Sequence, residues 1–418
     1  MPSSFPSTHL FRTVFQDGQG EFCGRFLHSK EDVLSNPAIV VVAYDRPASL
    51  RRLLGSLLVA EYPHAAELVI SIDGGDSDEV ARIAEDFNWP GGKKEIIRHA
   101  NHIGLREHVL ACGDLTDQYE SIVVLEDDLY VSPVFYHFAL RASKFFNDRP
   151  EIGGIGLYSY RENRSNRMLF EPITDETDIV FLQYACSWGQ VWTASQWKPF
   201  RQWYFDHQSW NSEKPVIPEH VSNWPDTSWL KYHIKYLVDT NRYFVYPRES
   251  LTTCYQDVGQ HTTRASWRSQ VGLQLSKREF RFKHFDESYC VYDAWQTLVP
   301  VALNRLVPKL GDYDYAIDFL GLKSLNDLSA SCVLGCWNSH FPIMEFGLQM
   351  RPVEMNVIAE VPGKGIVLSR TDNIDRGVAP MDHATRIYPE LGIRRLSRML
   401  QIRLLEKARR HLGTVRVK

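Results

Sequence analysis

The feature that most constrains this chain is a buried-strand pattern repeated four times, with amphipathic helices between. Ala38-Ile-Val-Val-Val-Ala43 is a continuous, largely β-branched apolar run, the signature of a strand covered on both faces. Asp45-Arg-Pro47 opens a helix, with proline at an early position where its missing N–H costs little. Leu50, Leu53, Leu54, Leu57 and Leu58 then fall on one helical stripe. Leu68-Val-Ile-Ser-Ile-Asp73 is a second strand ended by Gly74-Gly75, and Ser77, Asp78 and Glu79 cap the helix that carries Val80, Ile83, Ala84 and Phe87. Lys94–Arg98 reads as a third strand, residues 104–115 as a helix, and Ser121-Ile-Val-Val-Leu125 as a fourth strand. Ser132-Pro133 opens a further helix whose face is Phe135, Phe138, Ala139, Ala142 and Phe145. Alternation of this kind predicts an α/β fold, with a mostly parallel, Rossmann-like sheet and flanking helices. Ligands on such sheets sit beyond the carboxyl ends of the strands, where Asp73 and Glu126–Asp128 fall.

Length and charge bound the rest. At ~150 residues per domain, 418 residues predict two to three domains. Lysine and arginine number 47 against 51 acids, a net charge of −4 that weighs against a nucleic-acid partner. The longest apolar runs are far shorter than the ~20 residues of a spanning helix. Met1–Pro6 has neither a basic start nor an apolar core, so no leader is expected. Seven irregularly spaced cysteines without a CxxC fit neither a disulfide framework nor a zinc knuckle. They read as buried small residues of a protein in a reducing compartment, the cytoplasm.

No GxGxxG or GxxxxGK[ST] follows any of these strands, and Gly153-Gly-Ile-Gly156 runs into Leu157-Tyr158 instead of a helix. That argues against a classical dinucleotide or P-loop site. The acids after the fourth strand offer another route to a nucleotide. If the strand persisted, Glu126 and Asp128 would share one face and Asp127 would take the other. Three adjacent carboxylates repel by roughly 1 kcal/mol per pair at ~4 Å in water. A hard cation, Mn²⁺ or Mg²⁺, bridging Asp128 to phosphate oxygens relieves that repulsion. The plainer alternative is a solvated acidic loop ahead of the helix near Ser132. Asp73 is either a turn acid or a contact to a nucleobase or ribose.

These residues resemble the GT-A glycosyltransferases, and more narrowly the inverting β-1,2-N-acetylglucosaminyltransferase I and protein O-mannose N-acetylglucosaminyltransferase family, over roughly residues 37–274. Ile39–Arg46 resembles the family's first strand, which implies donor contacts for Ala43, Asp45 and Arg46. Ser71-Ile-Asp73 resembles its uracil-binding aspartate segment. Val124–Leu129 is similar to its metal motif, implying Asp128 on the metal, Glu126 on the donor sugar and Asp127 on the ribose. Ser187–Trp192 with Gln196-Trp197 looks like its Gly-Trp segment. Trp224-Pro-Asp-Thr-Ser-Trp229 resembles its Trp-Asp-Asp-Trp element without keeping the spacing, which makes Asp226 the candidate general base. From its position alone, Asp226 is equally a helix N-cap. Tyr246–Ser250, followed by Gly259-Gln-His261, resembles the loop that closes over the donor phosphates, adding His261 to the donor set.

Seven of the 11 tryptophans (188, 192, 197, 203, 210, 224 and 229) crowd into one segment and read mainly as core, with Trp224 and Trp229 as candidate platforms for an acceptor sugar. The expected organisation is an N-terminal segment (1–35), a catalytic domain (36–275), a linker (276–306), a small, β-rich accessory domain (307–380) and a basic amphipathic helix (385–418). Within that helix, residues 393–418 would either touch an anionic membrane face or dock on the acidic body of the same molecule or on a second subunit. The function expected is metal-dependent, inverting sugar transfer from a UDP-sugar, N-acetylglucosamine or a related hexose, to a hydroxyl of a glycan or lipid-linked acceptor. The competing readings are a nucleotide-sugar pyrophosphorylase-type nucleotidyltransferase and an inactive carbohydrate-binding scaffold.

Overall fold

The structure is a computed structural model that describes residues 35–75, 78–207, 217–258 and 268–375, with isolated positions beyond. The expected alternation is present: β1 (Ala38–Ala43), α1 (Pro47–Leu58), β2 (Leu68–Ile72), α2 (Asp78–Asp86), β3 (Lys94–Arg98), α3 (Leu105–Asp114), α4 (Thr116–Tyr119) and β4 (Ser121–Glu126). A short β5 (Leu129–Val131), α5 (Phe135–Phe146) and β6 (Ile152–Gly156) follow. Next come β7 (Ile179–Leu182), β8 (Gln190–Thr193), α6 (Ala194–Asp206), α7 (Glu219–Ser222) and α8 (Trp229–Asp239). β9 (Tyr243–Pro247), β10 (Thr252–Cys254), β11 (Val291–Tyr292) and α9 (Pro300–Leu306) lead to the last third. That part holds β12 (Tyr315–Ile317), β13 (Cys332–Gly335), β14 (Met344–Phe346), α10 (Met355–Ile358) and β15 (Ile366–Arg370).

Nine strands form one sheet in the order β11-β7-β9-β6-β8-β4-β1-β2-β3. β3, β2, β1 and β4 are parallel neighbours, and β6 and β9 run the same way because both β4 and β6 are antiparallel to β8. The carboxyl ends of β1, β2, β4, β6 and β9 therefore share one rim. Burial explains the apolar runs. β1 is covered on both faces, and Leu50, Leu53, Leu54 and Leu57 of α1 are at most 1% exposed. Each such leucine contributes about 1.5–3 kcal/mol on burial. In α5 the inward position at the C-terminal end is Phe146, with Phe145 half-buried beside it.

Two sequence expectations need correction. The strand does not persist through Glu126–Asp128. β4 stops at Glu126, the chain turns at Asp127-Asp128, and it re-enters as β5, which pairs antiparallel with β10. Residues 276–306 are also more than a linker. They supply β11 to the large sheet and set Phe280 and Phe282 edge-on against Phe138 of α5. Residues 315–370 do form a separate four-stranded sheet, β12-β13-β15-β14, as the β-rich reading expected. Its inner residues Ile317, Leu334 and Leu368 nevertheless share one apolar core with the large sheet.

The six described cysteines are buried. No helix among the described residues is long and apolar enough to cross a membrane. Of the basic segment 393–418, only Ser397, Arg398, Leu400, Gln401 and Leu404 are described, each helical and exposed. The expected amphipathic helix otherwise lies outside the described residues.

Candidate active site

β1, β2 and β4 end side by side on the rim, and the turns that follow them line a crevice of about 530 Å³. Of the sequence candidates, Ala43, Asp45, Arg46, Asp73, Glu126, Asp127, Asp128, Trp224 and Trp229 all line it. His261 lies outside the described residues.

Arg46 stands immediately before α1, where Pro47 fixes the start of the helix. From there its guanidinium reaches both acids of the turn after β4. Nη1 donates to Asp128 Oδ2 at 3.1 Å, and Nη2 donates to Asp127 Oδ1. The turn thus brings to one cation two carboxylates that a continuing strand would have set on opposite faces. Burial, with Asp128 alongside, pushes the Glu126 carboxyl up to about 8. Burial also pushes Asp127 up to about 6, although Arg46 pulls the other way. Glu126 lines the crevice without a hydrogen bond to Arg46.

Asp128 carries the observation that bears on a metal. Its Oδ1 is buried and has no hydrogen-bond partner among the described residues. Asp128 lines the crevice, and a buried, unpaired carboxylate oxygen is costly unless something electropositive meets it. Hard oxygen donors of this kind suit Mn²⁺ or Mg²⁺, so the residues fit such an ion. Among the described residues no three His, Cys, Asp or Glu side chains form a ready-made ligand cage. A cation here would therefore draw most of its ligands from a bound diphosphate and water.

Asp73 is buried and well supplied with donors. Ile103 N and Gly104 N donate to its two oxygens at 2.8 and 3.0 Å, and His102 Nδ1 lies 2.9 Å from Oδ2. Gly104 takes φ +83° there, a region open to glycine. The carboxylate thereby ties the loop ahead of α3 to the end of β2. That loop sets His102 against Tyr44, with ring centroids 4.5 Å apart and planes 29° apart. Both rings line the crevice beside Asp73. Sequence reasoning missed this pair, although Tyr44 stands between two singled-out residues.

Gln256 was also missed. It lines the crevice in a left-handed conformation (φ +47°), which a non-glycine residue keeps only when its surroundings enforce it. Tyr255 N donates to Asp128 O at 3.0 Å on one side. On the other, Asp257 accepts Ser49 Oγ at 2.6 Å and pairs with Arg52, whose guanidinium lies 3.8 Å over the Tyr255 ring.

Asp226 itself does not line the crevice. The crevice wall is built from its neighbours Trp224, Pro225, Thr227 and Ser228. The Asp226 carboxylate instead meets the buried ammonium of Lys231, Oδ1 to Nζ 2.9 Å. It is not the helix cap either, because Ser228 fills that position on α8. Trp229 is 2% exposed and packs edge-on to Trp192, so it is primarily core; Trp224 is the more open ring. Tyr246–Glu249, read as part of a loop over the donor, lie further along the rim in a second cavity.

No protein-family model matches the chain, and no curated protein does. Among solved structures, S. aureus TarS 1–349 in complex with UDP-GlcNAc is similar at 13% identity and a TM-score of 0.35, over 54% of this chain and 60% of that one. GalNAc-T7 with UDP, GalNAc and Mn²⁺ is similar at 12% identity and 0.34, over 51% and 43%. Mannosyltransferase PcManGT from Pyrobaculum calidifontis, in complex with GDP-Man and Mn²⁺, follows at 12% and 0.27, over 38% and 45%. The chain thus spans less than two thirds of each of these three structures. At these scores the likenesses are partial overlaps, and the functional reading rests on the site itself.

Proposed function

We propose that the chain is a GT-A-type glycosyltransferase that moves a sugar from a nucleoside diphosphate sugar, a UDP-sugar in the first instance, to a hydroxyl acceptor. The observation that carries this reading is the rim of β1, β2 and β4. There a stacked ring pair, an arginine and an acidic turn with one orphaned buried oxygen meet in a single crevice. Tyr44 and His102 hold the base, with Asp73 fixing their loop. Asp127 faces the ribose. Arg46 and Asp128 lie at the diphosphate, where Mn²⁺ or Mg²⁺ held by Asp128 would neutralise charge on the leaving group. Glu126, the acid that Arg46 does not engage, takes the acceptor's proton in this reading; Asp226 is held away on Lys231. Attack of the deprotonated hydroxyl on the face opposite the leaving group would invert the anomeric carbon.

Titration calorimetry with UDP and Mn²⁺ tests the donor site. Wild type binds UDP more tightly with Mn²⁺ than without, and Asp128→Asn abolishes that difference. Equal affinity in wild type with and without the ion removes the metal assignment. Turnover tests the base. Glu126→Gln keeps donor binding and loses at least a hundredfold in rate, whereas Asp226→Asn stays near wild type; the reverse result restores Asp226 as the base.

A further inference from the structure

A second cavity, about 560 Å³, opens on the same rim further along the sheet. Its volume lies within the roughly 300–1,000 Å³ of small-molecule sites. It is built at the ends of β6 and β9, from Ser159–Arg161 and Tyr246–Glu249, and is closed by the start of β7. Since β6 and β9 run with β1 and β4, both cavities face the same side of the molecule. Between them stands one aromatic pair. Trp188, just ahead of β8, lines the first crevice, and its ring centroid lies 4.7 Å from Tyr158 and 6.0 Å from Tyr160. Tyr160 lines the second cavity.

The lining specifies the ligand's chemistry. Arg161, Arg248 and Lys277 are balanced by Glu171, Asp178 and Glu249, so the cavity carries no net charge to attract a phosphate or carboxylate. Arg248 is committed to Asp175 at 3.1 Å and to the Thr177 carbonyl at 2.9 Å, and Lys277 is committed to Asp178. The exposed side chains of Arg161 and Glu171 are engaged by no hydrogen bond or ion pair among the described residues, leaving one donor fork and one acceptor at the mouth. The walls are apolar and aromatic, with Phe170, Pro172 and Tyr246. A neutral ligand with an apolar face and many hydroxyls matches this combination, and that is a carbohydrate.

We infer that the second cavity is a saccharide subsite, holding the sugar next to the residue glycosylated in the crevice, with the acceptor crossing the Trp188–Tyr160 pair. The inference rests on the transferase reading for the acceptor's role. A glycan array of neutral oligosaccharides, run without nucleotide, tests it. Wild type is retained on a subset of neutral glycans. Thr174→Trp, which fills the cavity from an exposed lining position, and Arg161→Ala each weaken retention at least tenfold. Both variants keep the wild-type melting temperature and bind UDP with Mn²⁺ within twofold of wild type. Retention of no neutral glycan, or retention indifferent to both substitutions, overturns the subsite even if UDP binds. Glycan retention that the substitutions abolish, in a protein that binds no UDP, sinks the transferase reading and leaves the saccharide site standing.

Discussion

Arg46 Nη1 lies 3.1 Å from Asp128 Oδ2, so a guanidinium holds one oxygen of the carboxylate whose other oxygen is buried and unpaired. The same guanidinium also holds Asp127. Removing one partner of a buried ion pair costs about 3 kcal/mol, because the charge left behind is uncompensated. Arg46→Met is expected to lose stability of that order in EDTA and to regain part of it with Mn²⁺, which would then supply the missing positive charge. Thermal melts of both proteins with and without Mn²⁺ check this. A variant whose melting point ignores the ion separates the acid pair from metal binding.

The Tyr44–His102 pair predicts how affinity for the base is distributed. Stacking of a base on an aromatic side chain contributes about 1–3 kcal/mol. Tyr44→Ala is therefore expected to weaken UDP binding roughly tenfold to a hundredfold while leaving inorganic pyrophosphate binding alone. Calorimetry with the two ligands distinguishes a base platform from a general loosening of the crevice.

Gly113 fixes the distance between α3 and α6. A Cβ there would lie 2.0 Å from Trp197 Cζ2, and the indole is held by a 2.8 Å bond from Nε1 to Asp114 Oδ1. Gly113→Ala should cost about 1–3 kcal/mol through forced displacement, despite alanine's better helix propensity. Urea unfolding measures it, and a neutral or stabilising result would show that the ring can move.

Two sets of buried groups should pull stability in opposite directions below neutrality. Burial lowers His233 to about 3 and His220 to about 4, so the native state refuses protons that the unfolded chain takes up near 6.5. As pH falls below about 6.5, each such histidine removes up to roughly 1.4 kcal/mol per pH unit until its folded value is reached. Burial raises Glu354 to about 7, so its native carboxyl stays protonated where the unfolded one has ionised. That contribution is full below about pH 4.5, falls progressively between about pH 4.5 and 7, and changes no further above that. Urea midpoints from pH 4 to 8 should show His233→Phe flattening the limb that falls as pH drops below about 6.5, and Glu354→Gln flattening the limb that falls as pH rises from about 4.5 to 7. An unchanged limb removes the corresponding residue from the account.

The sequence by itself determined the sheet's first half. β1, α1, β2, α2, β3, α3 and β4 follow from apolar periodicity and end signals, because local patterning and burial on two faces leave one architecture open. It also placed Asp73 and Glu126–Asp128 at the rim beyond the strand ends, where they line one crevice. The tertiary structure alone decided which acids meet Arg46, because the turn after Glu126 breaks the alternation on which any strand-based assignment depends. It alone moved Asp226 onto Lys231, paired Tyr44 with His102 from separate loops, and carried Tyr246–Glu249 into a second cavity. Apart from the local Asp226–Lys231 pair, these join residues far apart in the chain. Contacts across such gaps are set by strand order and packing, which no periodicity along the chain encodes.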